Sequence, residues 1–120
     1  MRAQFYTALA VGLVFIPQAA QAIESFTLRR ADVPGVSLYR SNAHPNAVYV
    51  MEFFQNNCGP CNTNAANFHR LAARFAENPL VQVLDVGLDR SPIDYSRWIA
   101  RHRPDYPVLM DSRRQLVDPL

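Results

Sequence analysis

Hydrophobic residues in the middle of the chain recur with two different periods, which predicts alternating strands and helices. A nearly continuous apolar run over 47–54 is typical of a strand that is covered on both faces. Apolar residues from Phe68 to Phe75 then recur at helical spacing, until Asn78-Pro79 ends the pattern. The run over 80–88 alternates and is rich in Val and Leu, which predicts a second buried strand.

The rest of the chain extends this pattern into an α/β domain. Ser91-Pro92-Ile93-Asp94 offers an N-cap, a proline at N1 and an acidic N3, so it predicts the start of a second helix. Two short apolar stretches, 108–110 and 115–117, follow the prolines that end this helix and surround a polar turn, which predicts a closing hairpin. With extended pieces near 24–29 and 36–39, the order of elements predicts a mixed β-sheet flanked by helices.

The cysteines of the chain stand as Cys58-Gly59-Pro60-Cys61, between the first buried strand and the first helix. A disulfide that closes so short a loop removes little chain entropy, so redox chemistry is a better explanation of the pair than stability. At a helix N-terminus, Cys58 would gain a stabilised thiolate and act as the nucleophile, while Cys61 would be the shielded, resolving thiol. Gly59 would allow a partner chain to approach closely, and Pro60 would fix the first helical turn.

A structural disulfide and a zinc site are the alternatives for the cysteine pair. Zinc would need two further ligands from His44, His69 and His102, and none of these is paired at ligand spacing, so no metal is expected. His69 and His102 are predicted to lie on helix surfaces or to be partly packed, and Trp98 is predicted to belong to the core.

Glu52 is an ionisable residue within the otherwise apolar first strand, six positions before Cys58. Burial would raise its pKa and equip it to exchange a proton with Cys61 as the resolving thiol attacks. Strand alternation would instead turn Glu52 to solvent or towards an arginine. The sequence leaves both interpretations open.

Residues 1–22 have the features of a secretory signal peptide: Arg2 is their only charge, a short apolar core follows, and Ala20-Gln21-Ala22 fits the cleavage pattern. A membrane anchor is the competing interpretation, but the apolar core is shorter than the ~20 residues that span a bilayer. The mature domain would be 23–120, periplasmic or secreted, with no stable membrane anchor after cleavage. Loss of Arg2 reduces the formal charge from +2 to +1, which gives no argument for a nucleic-acid partner.

The segment from 48 to about 117 resembles the thioredoxin superfamily. Cys58 to Cys61 reproduce the Cys-Gly-Pro-Cys of thioredoxin, and Glu52 matches its buried acid six residues before the first cysteine. Pro107 matches the cis-proline that faces the cysteines. The resemblance implies a thioredoxin-like fold, a cis bond before Pro107, and a Tyr106 backbone that holds an extended substrate segment across Cys58. It implies no bound cofactor.

Two departures from thioredoxin accompany the resemblance. Asn57 stands where thioredoxin has Trp, and the final C-terminal helix of the fold is missing from the sequence up to Leu120, which would leave one sheet face uncovered. The resemblance implies an exported thiol-disulfide oxidoreductase of the reductase or isomerase type, because Gly-Pro between the cysteines is similar to the reducing members. Its partners would be protein thiol or disulfide clients and an unidentified envelope redox partner. The alternative is a non-catalytic thioredoxin-like interaction subunit or chaperone of an envelope secretion or conjugation assembly.

Overall fold

The computed structural model describes residues 24–120, so the predicted signal peptide over 1–22 lies outside the described residues. The regular elements of this range alternate as the apolar pattern predicts, and the α/β class is confirmed. In chain order they are β1 (Thr27–Arg30), β2 (Leu38–Arg40), β3 (Val48–Phe54), α1 (Gly59–Phe75), β4 (Val81–Gly87), α2 (Pro92–His102) and β5 (Val108–Met110).

The strands form one mixed sheet in the order β2-β1-β5-β4-β3. Strands β3, β4 and β5 are parallel, whereas β1 is antiparallel to both β2 and β5. Helix α1 connects β3 to β4, and α2 connects β4 to β5, so both connections step in the same direction across the sheet. Because such connections are almost always right-handed, α1 and α2 should cover the same sheet face.

The hydrophobic clusters agree with this arrangement. Trp98 of α2 and Ala65 of α1 belong to one buried cluster with Phe54 of β3, which places both helices on one face. Trp98 is fully buried, as its pattern predicts. The opposite face is packed by a second cluster, whose buried members are Leu28, Tyr39, Leu84, Val86, Leu109 and Leu116.

The predicted closing hairpin is wrong. Val108–Met110 forms β5, but residues 111–120 form turns and pair with no strand. The cause is Asp111, whose carboxylate accepts the backbone N–H groups of Gln115, Leu116 and Val117 at 2.8, 2.9 and 3.3 Å. Amides that are bound to a carboxylate in a turn are not available to a β-ladder.

The predicted cis bond before Pro107 is also wrong, because residues 24–120 contain no cis peptide bond. The carbonyl of Pro107 accepts the Asp85 N–H at 3.0 Å, which continues the parallel pairing of β5 with β4. Strand β4 therefore separates this segment from β3, the strand that leads to Cys58. The Tyr106 side chain is buried against Phe68 of α1. The described residues therefore lack the cis-proline geometry from which the substrate contact of Tyr106 and Pro107 is predicted, and that contact itself stays a prediction.

The parallel strands bring their carboxyl ends together at one edge of the sheet, and α1 begins from that edge. The loop between β3 and α1 carries the first cysteine, so the sheet positions the cysteine pair. No helix within 24–120 has the length and apolar character that a membrane crossing requires.

Candidate active site

Cys58 is the N-cap residue of α1, and Cys61 lies in the first turn. The two form a disulfide, and the Cys58 Sγ also accepts the Cys61 backbone N–H at 3.2 Å. Helix α1 has 17 residues and no acidic residue in its first turn. A negative charge on Cys58 would therefore meet free amides and the positive end of the helix dipole, unopposed by a neighbouring carboxylate of that turn.

The environments of the two sulfurs differ. Cys61 packs against the buried cluster beneath α1, and its Sγ lies 3.9 Å from the backbone oxygen of Phe53. Gly59 and Pro60, between the cysteines, are exposed. A Cβ placed on Gly59 would meet no atom within 4 Å, so the surface beside Cys58 is open to a partner chain. Cys61 faces the protein interior instead.

Asn62 ties the cysteine loop to the end of α2. Its Nδ2 donates to the backbone oxygens of Cys58 and Asn56 at 2.8 and 3.0 Å. Its Oδ1 lies 2.7 Å from both Arg101 Nη1 and His102 Nε2. Because the two carbonyls fix the orientation of the amide, Oδ1 accepts and His102 Nε2 is the donor.

The electrostatics of this contact favour a neutral imidazole. Burial lowers the pKa of His102, and the adjacent Arg101 guanidinium lowers it further. A neutral ring that donates from Nε2 can bind Asn62 without adding a second positive charge beside Arg101. The sequence pattern predicts a surface or partly packed His102 and gives no sign of this contact, because the partner residues are about 40 positions apart.

A second set of hydrogen bonds holds the loop before Cys58 against the loop after β4. The Asn56 backbone N–H donates to Asp89 Oδ2 at 2.8 Å, and its side chain donates to Asp94 Oδ1 at 3.3 Å. The pKa of Asp89 is raised, chiefly by burial. These bonds fix the path of the chain into α1.

Glu52 is buried, with 9% of its surface exposed. Neither carboxylate oxygen accepts a bond from a donor group, which excludes the alternative in which Glu52 pairs with an arginine or reaches solvent. Burial raises the pKa of Glu52, and the nearby side chains of Asp85, Asn64 and His69 oppose this rise. The residue after Glu52 is Phe53, whose carbonyl contacts the Cys61 sulfur. Glu52 is thus adjacent in the chain to the residue whose carbonyl contacts Cys61.

Asp85 lies directly opposite Glu52 in the β3–β4 register and has no exposed surface. Its Oδ2 accepts the Trp98 indole N–H at 2.9 Å, and its Oδ1 has no donor partner. Burial raises the pKa of Asp85 to about 8. The sequence pattern that singles out Glu52, an acid inside an apolar strand, also holds for Asp85 in the second apolar strand, but Asp85 is not among the predicted site residues.

Two further polar groups lie beside this pair of acids. The buried Tyr106 hydroxyl and His69 Nε2 have no hydrogen-bond partner, and their rings are 5.4 Å apart. The pKa of Tyr106 is raised by burial first and then by the negative charges of Asp85 and Glu52. These five residues therefore form a buried polar cluster: Glu52, His69, Asp85, Trp98 and Tyr106.

The histidines do not assemble into a metal site with the cysteines. His44 stacks on Tyr39 with ring centres 5.3 Å apart, whereas His102 binds Asn62 and His69 contacts Tyr106. In the part of the chain that the structure describes, no three His, Cys, Asp or Glu residues are grouped as metal ligands.

Solved structures with the same fold include two thiol-disulfide proteins and a third protein named AhpC. A Chlorobium tepidum protein assigned as the thiol:disulfide interchange protein DsbE superposes with a TM-score of 0.69 at 20% identity, over 81% of this chain and 65% of its own. A secreted Mycobacterium tuberculosis disulfide oxidoreductase homologous to E. coli DsbE gives 0.63 at 16% identity, over 76% and 63%. Mycobacterium tuberculosis AhpC gives 0.62 at 24% identity, over 81% and 63%.

The chain spans slightly less than two thirds of the length of each of these three proteins. No curated protein sequence is a significant match to it. The structural likeness confirms the thioredoxin-like fold. A model of the AhpC/TSA family matches residues 19–120, which is most of the sequence. The protein therefore belongs to the AhpC/TSA family of the thioredoxin superfamily.

Proposed function

We propose that the protein is an exported thiol-disulfide oxidoreductase of the reductase or isomerase type, which works through the Cys58–Cys61 couple. One observation carries this proposal: Cys58 caps a 17-residue helix, and its sulfur accepts the Cys61 N–H. The same amide and the helix dipole favour a Cys58 thiolate once the disulfide is reduced. The role of nucleophile therefore belongs to Cys58.

The first step is an attack by the Cys58 thiolate on one sulfur of a client disulfide. A bond forms between Cys58 and that sulfur, the client S–S bond breaks, and the other client sulfur leaves as a thiolate. The product is a mixed disulfide. The exposed Gly59 and Pro60 flank the reacting sulfur, so a client chain can lie across this surface, and we propose that they contact it.

The second step is resolution of the mixed disulfide by Cys61. Its sulfur attacks the Cys58 sulfur, the intramolecular disulfide forms, and the second client sulfur leaves as a thiolate that takes a proton from solvent. Cys61 must lose its proton before it attacks. Glu52, which is buried in β3 and has a raised pKa, is proposed as the group that takes this proton.

The reducing direction is proposed from the Gly59-Pro60 pair between the cysteines, and export from the signal-like segment over 1–22. The secreted Mycobacterium tuberculosis structure is consistent with an exported member of this fold. The clients would be proteins with disulfides, and an envelope redox partner would return electrons to the oxidised couple. This cycle needs no bound cofactor.

Reduction of insulin by dithiothreitol tests the proposed activity. We expect the protein to accelerate the precipitation of insulin chains, and Cys58→Ser to return the rate to that of dithiothreitol alone, because that variant lacks the attacking sulfur. Circular dichroism of the variant serves as the control for folding. A folded wild-type protein with no acceleration would favour the alternative, a thioredoxin-like interaction subunit or chaperone of an envelope assembly.

A further inference from the structure

Two buried carboxyl groups, those of Glu52 and Asp85, face each other across the β3–β4 strand pair. Glu52 and Asp85 are direct partners in the β3–β4 register, and both are at least nine-tenths buried. Three of their four oxygens have no donor within hydrogen-bond geometry, and the fourth binds the Trp98 indole. The Asn64 side chain is the neutral donor group near Glu52, and it favours the charged form of that carboxyl group. Two adjacent carboxylates in such a site would repel one another and leave three unsatisfied acceptors.

One proton removes most of this conflict. Oδ2 of Asp85 is occupied by the Trp98 N–H, so Oδ1 is the atom that remains to carry the proton. A proton on Asp85 Oδ1 can be donated in a hydrogen bond to the Glu52 carboxylate on the neighbouring strand. This single bond satisfies one oxygen of each residue and leaves one negative charge in the cluster. The unpartnered Tyr106 hydroxyl and His69 Nε2 are the other titratable groups that face the pair.

We propose that Asp85 is a positioning residue that shares one proton with Glu52 and keeps Glu52 ready to accept a second. This inference rests on the proposed function, because it names the source of the basicity that Cys61 requires. In the resolving step the Cys61 proton passes to the singly charged pair, which becomes doubly protonated. The electron pair left on the Cys61 sulfur forms the bond to Cys58, and the client thiolate leaves. The pair then returns the extra proton to solvent.

Other side chains are less suitable than Asp85 as the hydrogen-bond partner of Glu52. The arginine side chains whose bonds the structure resolves bind other groups: Arg30 binds Asp32, Arg70 binds Asn67, Arg97 pairs with Asp94, Arg101 binds Asn62, and Arg114 binds Asp118. Trp98 donates to Asp85, not to Glu52. A protonated Asp85 accepts from Trp98 through Oδ2 and can donate towards Glu52 through Oδ1, so one shared proton is compatible with both contacts.

A carbon-13 NMR titration of the side-chain carboxyl groups tests the shared proton. The disulfide form of the full chain is used, so that neither cysteine titrates. We expect the Glu52 and Asp85 carboxyl signals to follow the same two transitions, as coupled groups do, with one transition above pH 7. Asp85→Asn should lower the Glu52 midpoint by at least one pH unit, because the amide donates to a carboxylate permanently. Asp118→Asn, which removes an exposed carboxylate, should leave that midpoint unchanged.

Independent titrations of the two carboxyl groups, each completed below pH 6, would overturn the proposal. The wild-type signals decide this even if Asp85→Asn does not fold. A kinetic measurement adds a readout of the role: stopped-flow resolution of a mixed disulfide should be roughly tenfold slower in Asp85→Asn at pH 7, with the initial attack by Cys58 unaffected. Equal slowing of both steps would assign Asp85 a structural role only. Because the titration needs no activity, its failure would leave the oxidoreductase proposal standing, and a failed insulin assay would leave the shared proton standing.

Discussion

Gly87→Ala is expected to destabilise the protein by about 1–3 kcal/mol, because the space beside Gly87 is already filled. A Cβ at this position would lie 2.8 Å from Phe54 Cζ and still closer to the Tyr95 ring. Tyr95 cannot retreat easily, since its hydroxyl donates to the backbone oxygens of Gly87 and Asp89 at 2.8 and 2.7 Å. Phe54 is stacked on Trp98 with ring centres 4.1 Å apart. A Cβ on Gly87 would therefore require Phe54, Tyr95 and Trp98 to shift together.

Urea denaturation of the purified variants measures this effect. Gly59→Ala is the matched control, because it makes the same change where no atom lies within 4 Å and the backbone is helical. That variant should be as stable as the wild type or more stable by up to about 1 kcal/mol. Equal stabilities of the two variants would contradict the packing described around Gly87.

The free energy of unfolding is expected to fall by about 2 kcal/mol between pH 6.5 and 8, because of the buried acids. Burial raises the pKa of Asp85 to about 8, whereas in the unfolded chain an aspartate titrates near 3.9. Over this interval the native protein holds a proton that the unfolded chain has already released, so rising pH favours unfolding. One proton changes the stability by about 1.4 kcal/mol per pH unit at most.

Below pH 6.5, the titration of His102 has the opposite effect on the free energy of unfolding. The pKa of His102 is lowered by burial, so this residue makes stability increase with pH up to about 6.5, its unfolded value. Urea denaturation at pH 6.5, 7.2 and 8 measures the expected loss, and Asp85→Asn should make the profile flat. A wild-type profile that is level or rises over this interval would show that Asp85 is ionised in the native state.

The elements that lead to the site could be predicted from sequence, because their signals are local. Strand β3 begins one residue after the predicted start, and α1 begins within the cysteine motif and ends before Asn78-Pro79. A continuous apolar run and a helical repeat need no knowledge of the partner elements. The N-cap position of Ser91 was predicted for the same reason and is confirmed, although its side chain makes no capping bond.

The remaining features depend on which strands become neighbours, and a single sequence does not contain that information in readable form. The pairing of Glu52 with Asp85 follows from the parallel register of β3 and β4. The same limit explains Pro107: its position before a short apolar stretch predicts a cis bond, but the residue leads with a trans bond into a strand that pairs with β4. The Cys-Gly-Pro-Cys motif is local and predicts the chemistry at Cys58. The residues that surround the cysteine pair depend on contacts between distant parts of the chain.

Trapping of a mixed disulfide tests the central claim most directly, because it separates the roles of the two cysteines. Reduced Cys61→Ser is mixed with a small peptide disulfide, and the products are measured by intact mass and peptide mapping. The account predicts one stable peptide adduct per chain, bound to Cys58, while the wild type passes rapidly to its intramolecular disulfide and releases the peptide. A Cys61→Ser protein that stays unmodified, together with a Cys58→Ser protein that forms the adduct at Cys61, would contradict the account.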